Sequence, residues 1–168
     1  LTKMIGKPIL WNNENQMTGD VMHLIGNNKT QKLDSLKVLN NAFIIQKDSL
    51  SKNGYNQIKG QNLYGKFIDS KLKEVDVVKN AEVIYYMYND ANEFIGINKT
   101  VCSKINLELE ENKINSITFF TKTDSNIYPE ADFPENARKL RGFLWRGDER
   151  ILSKDDIFPA EEIALDDK

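Results

Sequence analysis

"LDSLKVLNNAFII" (residues 33–45) returns further along the chain as "LKEVDVVKNAEVIYY" (72–86), each a leucine, an alternating apolar run, an Asn-Ala step and a second apolar run. Alternation with a period of two puts one set of side chains on one face of a β-strand and the next set on the other. Writing that pattern twice implies that two strands of the same kind occupy equivalent places in a sheet.

The echo widens into a repeat of three. "GDVMHLIG" (19–26) aligns with "GQNLYGKF" (60–67) and "CSKINLEL" (102–109), and each is followed, after a turn, by "LDSLKV" (33–38), "LKEVDV" (72–77) or "INSITF" (114–119). The anchors lie about 40 residues apart, a spacing typical of stacked structural repeats. Alternate positions place Met22 and Leu24 in register with Leu63 and Gly65, and with Ile105 and Leu107, while Phe67 and Leu109 extend that face. The partner strands add Leu36 and Val38, Val75 and Val77, Ile117 and Phe119; beyond the Asn-Ala step come Ala42 and Ile44, then Ala81, Val83 and Tyr85. The other face carries His23, Tyr64, Lys66, Lys73, Asp76, Asn106, Glu108 and Asn115, which is the alternation of a sheet solvated on one side. A unit with a single apolar face is not stable alone, so neighbouring units must stack or fold over to cover it.

Turn clusters at 12–16, 26–32, 49–54, 68–71, 88–93 and 110–113 separate short runs rich in Val, Ile, Phe and Tyr. Helical periodicity is hard to find before residue 130. The expectation is an all-β fold: a repeat-built antiparallel jelly roll or folded open sheet over residues 1–127, with short helical turns in a tail, 128–168, that caps the sheet or links it onward. At 168 residues the chain suits one domain, with 40% apolar residues to build a core and a formal net charge of -2. That balance gives no reason to expect a nucleic-acid partner. The single cysteine, Cys102, excludes an intrachain disulfide, and no Cys/His cluster has zinc-ligand spacing. No run approaches the roughly 18 apolar residues of a membrane span. The chain begins at Leu1, so a targeting segment upstream is compatible with it.

Catalysis finds little footing. The only histidine, His23, sits on the polar face; GxSxG, P-loop and GxGxxG patterns are absent; the carboxylates do not cluster in register. Cys102 takes the rung position of Gly19 and Gly60, which reads as a small strand residue in place of a nucleophile. The expectation is a protein without enzymatic activity, cofactor or metal.

The rungs "MTGDVMHL" (17–24), "IKGQNLYGKF" (58–67) and "NKINSITF" (112–119), with the two Asn-Ala steps, resemble the repeats of the OstA-like family of lipopolysaccharide-transport proteins. The stretch 128–158 resembles the tail of a larger OstA-like subgroup, so the likeness extends from about residue 8 to the tail. The resemblance implies a periplasmic β-jelly-roll, open along one side, that shelters the acyl chains of lipid A in an apolar groove. It also implies end-to-end contact with other OstA-like domains, or with further copies of itself, through open edge strands. The groove would be lined by Met22, Leu24, Leu36, Val38, Ile44, Leu63, Phe67, Val75, Val77, Val83, Tyr85, Ile105, Leu107, Leu109, Ile117 and Phe119.

Two readings of these side chains stand side by side: an accessible lipid trough, or a core in which the same residues pack against each other as a closed β-sandwich with a structural or adhesive role. Gly65, at an inward position, marks either a strand bend or a close ligand. In the tail, Arg138, Arg141 and Arg146 among Phe143 and Trp145 suit phosphate contacts. Equally, the tail suits a cap whose arginines pair with Glu130, Asp132, Glu135, Asp148 and Glu149. "SKDD" (153–156) is placed to cap a last helical turn, and 159–168 reads as an acidic solvated terminus.

Overall fold

The computed structural model describes residues 1–121 and 123–157. The acidic stretch 159–168 lies outside the described residues. Ten strands form one antiparallel sheet: β1 (Thr2–Ile5), β2 (Ile9–Asn12), β3 (Asn15–Thr18), β4 (Val21–Gly26), β5 (Leu33–Lys47), β6 (Tyr55–Ile68), β7 (Lys71–Tyr88), β8 (Phe94–Glu110), β9 (Lys113–Phe120) and β10 (Asp124–Tyr128). After β10, among the described residues, only short 3-10 turns occur, beginning at Glu130. Each expected turn cluster lies between strands.

The four long strands, β5 to β8, each run through two arms of the sheet. In the first arm the order is β1, β4, the first half of β5, the second half of β6, the first half of β7, the second half of β8, and β9. In the second arm β2, β3, the remaining halves of β5 to β8 and β10 line up in the same way. The pairing register shifts where the arms meet, between Leu39 and Ala42, Lys59 and Asn62, and Val78 and Ala81.

The Asn-Ala steps are these corners. Asn40 and Asn41 have φ of 58° and 52°, and Lys79 and Asn80 have 64° and 51°. A pair of left-handed residues kinks a strand sharply, and asparagine tolerates that region better than most side chains. The freed backbone groups are taken up locally: Asn40 N–H donates to Asn62 Oδ1 at 3.1 Å, and Asp20 N–H donates to Asn40 O at 3.0 Å. The third repeat has its own version, with Thr121 at φ 54° and Ser103 N–H donating to Thr121 O.

At two corners the neighbouring strand passes so close that only glycine fits. A Cβ on Gly60 would lie 2.5 Å from Val77 Cγ1, and one on Gly19 would clash with Val38 Cγ1, the equivalent rung residue. Cys102, third in that series, is buried. Kinking brings the arms face to face, and residues of both merge into one core that includes Met22, Leu36, Val77, Ile44, Val83 and Met17. Asn15 of β3 also donates to Asn112 O in the β8–β9 turn, tying the far tips of the two arms.

The second arm has a further core on its outer face. Phe43, Ile45, Ile84, Tyr86 and Ile97 are buried there beneath Phe133 and Leu140 of the tail. Strands covered on both sides read as unbroken apolar runs, which "AFII" (42–45) and "VIYY" (83–86) are. The tail therefore shares a core with residues of the repeat region instead of standing apart from it.

Candidate functional site: the seam between the arms and the strap over the second arm

Fifteen of the sixteen expected groove residues belong to the seam core or pack directly on it. Eleven are buried: Met22, Leu36, Val38, Ile44, Leu63, Val75, Val77, Val83, Ile105, Leu107 and Leu109. The other four, Leu24, Phe67, Ile117 and Phe119, are half-buried at the margins. Tyr85, the sixteenth, is half-buried opposite Asn98, and burial pushes its phenol above the ordinary value. In mid-sheet the seam is closed: Val75, Val83 and Ile105 have no exposed surface. The space left by Gly65 is filled, since a Cβ there would meet Leu72 Cδ1 at 2.9 Å.

The seam loosens toward its two ends. At the β9 edge the inward residues Ile114, Ile117 and Phe119 are only partly covered, and at the opposite edge so are Met4, Leu10 and Leu24. Near β10 the inner face turns polar, where Thr100, Asn98 and Ser125 hydrogen-bond with one another. The outer face of the first arm is graded in charge. Lys3, His23 and Lys37 sit in register across β1, β4 and β5, whereas Glu74 and Glu108 pair across β7 and β8.

The three arginines proposed as phosphate contacts differ in state. Arg138 gives Nε to Phe133 O, Nη1 to Glu130 Oε1 and Nη2 to Glu130 O. Arg146 gives Nε and Nη2 to Glu149 and Nη1 to Lys7 O. A phosphate at either would have to displace these partners. Arg141 is exposed beside Gly142 and lines a cleft at the arm corner with Lys59 and Glu82. Arg150 pairs with Glu14. The tail is thus bonded to the sheet region through Arg150 to Glu14 and Arg146 Nη1 to Lys7 O, while Glu130 and Glu149 brace its arginines from within the tail. The "SKDD" turn takes shape as expected: Asp156 Oδ2 accepts the N–H groups of Leu152 and Ser153.

Two residues that the sequence reading did not single out organise this strap. Gln57 and Gln16, both buried, flank Ile45 on adjacent strands. Gln57 Nε2 donates to Arg138 O at 2.6 Å while its Oε1 accepts Leu140 N–H at 2.8 Å. Gln16 Nε2 donates to Leu144 O at 2.8 Å while its Oε1 accepts Arg146 N–H at 2.7 Å. Each amide therefore reads the backbone on both sides of one strap residue, Lys139 or Trp145. The available signal was an Asn-Gln step repeated at the same distance before a corner glycine, "NQMTG" (15–19) and "NQIKG" (56–60); a buried polar side chain needs a partner. Trp145 meets Trp11 edge-on at 5.3 Å, and Phe143 meets Tyr55 at 5.1 Å.

Among the described residues no group of three or more His, Cys, Asp or Glu is placed to hold a metal ion. No protein-family model, no curated protein and no solved structure matches the chain.

Proposed function

We propose that the chain is a non-enzymatic module of the bacterial envelope that shelters lipopolysaccharide acyl chains between its two arms and stacks end to end with like domains. The observation that supports this best is the loosening of an otherwise closed apolar seam at both sheet edges, where Ile114, Ile117 and Phe119 at one end and Met4, Leu10 and Leu24 at the other remain partly uncovered. A neighbouring unit aligned there would continue the apolar strip, and each methylene of an acyl chain lodged in it would gain roughly 0.8 kcal/mol. Among the described residues the edges β1 and β9 have one unpaired side each, offering backbone hydrogen bonds to the next unit. The charge gradient favours joining the basic β1 edge of one unit to the acidic side of another over joining like edges.

A second reading, a closed sandwich with a structural or adhesive role, is favoured by the full burial of the seam in mid-sheet. The deciding experiment is photocrosslinking to lipopolysaccharide. Probes go at Ile117 and Phe119 on the loose inner margin, at Val77 in the closed middle, and at Lys66 and Thr118 on the outer face. Labelling at Ile117 and Phe119 with none at Lys66 and Thr118 supports the lipid reading, and additional labelling at Val77 means that the arms open to admit the chains. A folded protein that labels nowhere in excess lipopolysaccharide leaves the closed sandwich.

A further inference from the structure

A cleft of about 600 Å³ opens on the outer face of the second arm, the side turned away from the seam. Its floor is aromatic: Tyr86 and Tyr88 from β7 and Phe94 from β8, with the Tyr88 and Phe94 rings edge to face at 5.7 Å. One wall is the loop 50–53 and the other is the strap around 130–139. The volume falls within the roughly 300–1,000 Å³ of small-molecule sites.

All three sides are fixed in place. Asp48 Oδ2 accepts both the Tyr88 hydroxyl at 2.5 Å and the Ser51 N–H at 2.7 Å, so one carboxylate locks the loop to the floor. The loop is pressed so closely on the floor that a Cβ at Gly54 would lie 2.8 Å from Ser51 and 3.0 Å from the Tyr86 ring. The strap wall is gripped by Gln57 at Arg138 and Leu140, and stiffened by the three bonds of the Arg138 guanidinium. Walls held this way need little ordering when a ligand enters.

The lining also restricts what enters. All three nitrogens of Arg138 already donate within the protein, so a phosphate would meet a guanidinium fork that is partly taken. The remaining rim charges are of both signs, Lys52 and Lys139 against Glu135, with Lys139 Nζ drawn over the Phe143 ring, which suits a ligand of little net charge. A fatty chain would leave the hydroxyl of Ser51, the amide of Asn53 and the Glu135 carboxylate desolvated. What matches an aromatic floor under a hydrogen-bonding rim of mixed sign is a ring with an apolar face and hydroxyls at its edge. We propose that this cleft is a saccharide site, taking a neutral or N-acetylated disaccharide with one sugar face on Phe94 and its hydroxyls on Ser51, Asn53 and Glu135. Phe94 is 38% exposed, which leaves part of its ring free to stack. The site is independent of the lipid reading, since it lies on the other face of the sheet.

The test is a titration of the full nitrogen-labelled chain with N,N′-diacetylchitobiose, cellobiose and maltose, followed by amide chemical shifts. At least one sugar is expected to give saturable shifts confined to residues 50–55, 86–94 and 130–139. Phe94→Ala should weaken that binding about tenfold, equivalent to about 1.4 kcal/mol. Phe94→Leu, which keeps the bulk but loses the flat ring, guards against loss of fold and should weaken binding in the same direction. Lys37→Ala on the first arm should leave it unchanged. The proposal is overturned if none of the three sugars gives saturable shifts at millimolar concentration, if the shifts fall elsewhere, or if both Phe94 variants bind as tightly as the parent.

Discussion

Gly60 shows how a single missing methyl sets the geometry of a corner. A methyl there would press on the β-branched Val77 and lie 3.2 Å from Val78 O, and neither neighbour has a flexible end to move aside. Gly60→Ala should therefore destabilise by about 1–3 kcal/mol, the usual range for overpacking, measured as a lowered urea midpoint at unchanged slope. Tyr88 makes a prediction of a different kind. Burial first, then its bond to Asp48, raise the phenol well above its ordinary value of 10.0. A group whose pKa is higher in the folded state stabilises fully below the unfolded value and loses that contribution as pH rises through the folded one. Stability should fall with rising pH from about pH 10 upward, and Tyr88→Phe should flatten that slope in alkaline denaturation. The buried Cys102 thiol, raised mainly by desolvation, adds to the same trend and should react with thiol reagents only slowly while the protein is folded.

At the scale of elements, the strap is the part most dependent on a few bonds. Gln57→Leu keeps the side-chain bulk but strands Arg138 O and Leu140 N–H in a buried place. The expected cost is about 1–3 kcal/mol. It should appear first as faster hydrogen exchange at the Leu140 amide and quicker tryptic cleavage near Arg138, before any loss of the sheet. The strands and turns were legible in the sequence because the first arm is solvated on its outer face alone: period-two alternation survives wherever one face meets water, as in "LKEVDV". The second core was not, because alternation vanishes where both faces are covered, and Phe43, Ile45 and Ile84 then look like an undifferentiated apolar run. The loose ends of the seam were also hidden, since burial differs along strands of identical pattern. Ile117 and Val75 occupy equivalent rungs, yet only Val75 has strand neighbours on both sides. Lys73 and Asn115 fall at register shifts, where simple alternation no longer assigns a face.

For the whole molecule, the grading of charge from Lys3, His23 and Lys37 to Glu74 and Glu108 makes the two ends of the first arm unlike. If units join end to end by that polarity, self-association should be strongest at low ionic strength and weaken as added salt shortens the screening length from about 10 Å at 0.1 M to about 3 Å at 1 M. Sedimentation at several protein concentrations checks this. A size distribution indifferent to salt would leave charge out of the contact and rest it on the apolar margins alone. The Asn-Ala kinks also bear on how the chain comes apart. Because β5, β6, β7 and β8 each pass through a corner into both arms, every central strand is covalently shared between the two halves of the core. Neither half possesses a complete set of strands of its own, so melting one strips hydrogen-bonded partners and packing from the other, and heat should disassemble the described sheet in one all-or-none transition instead of two.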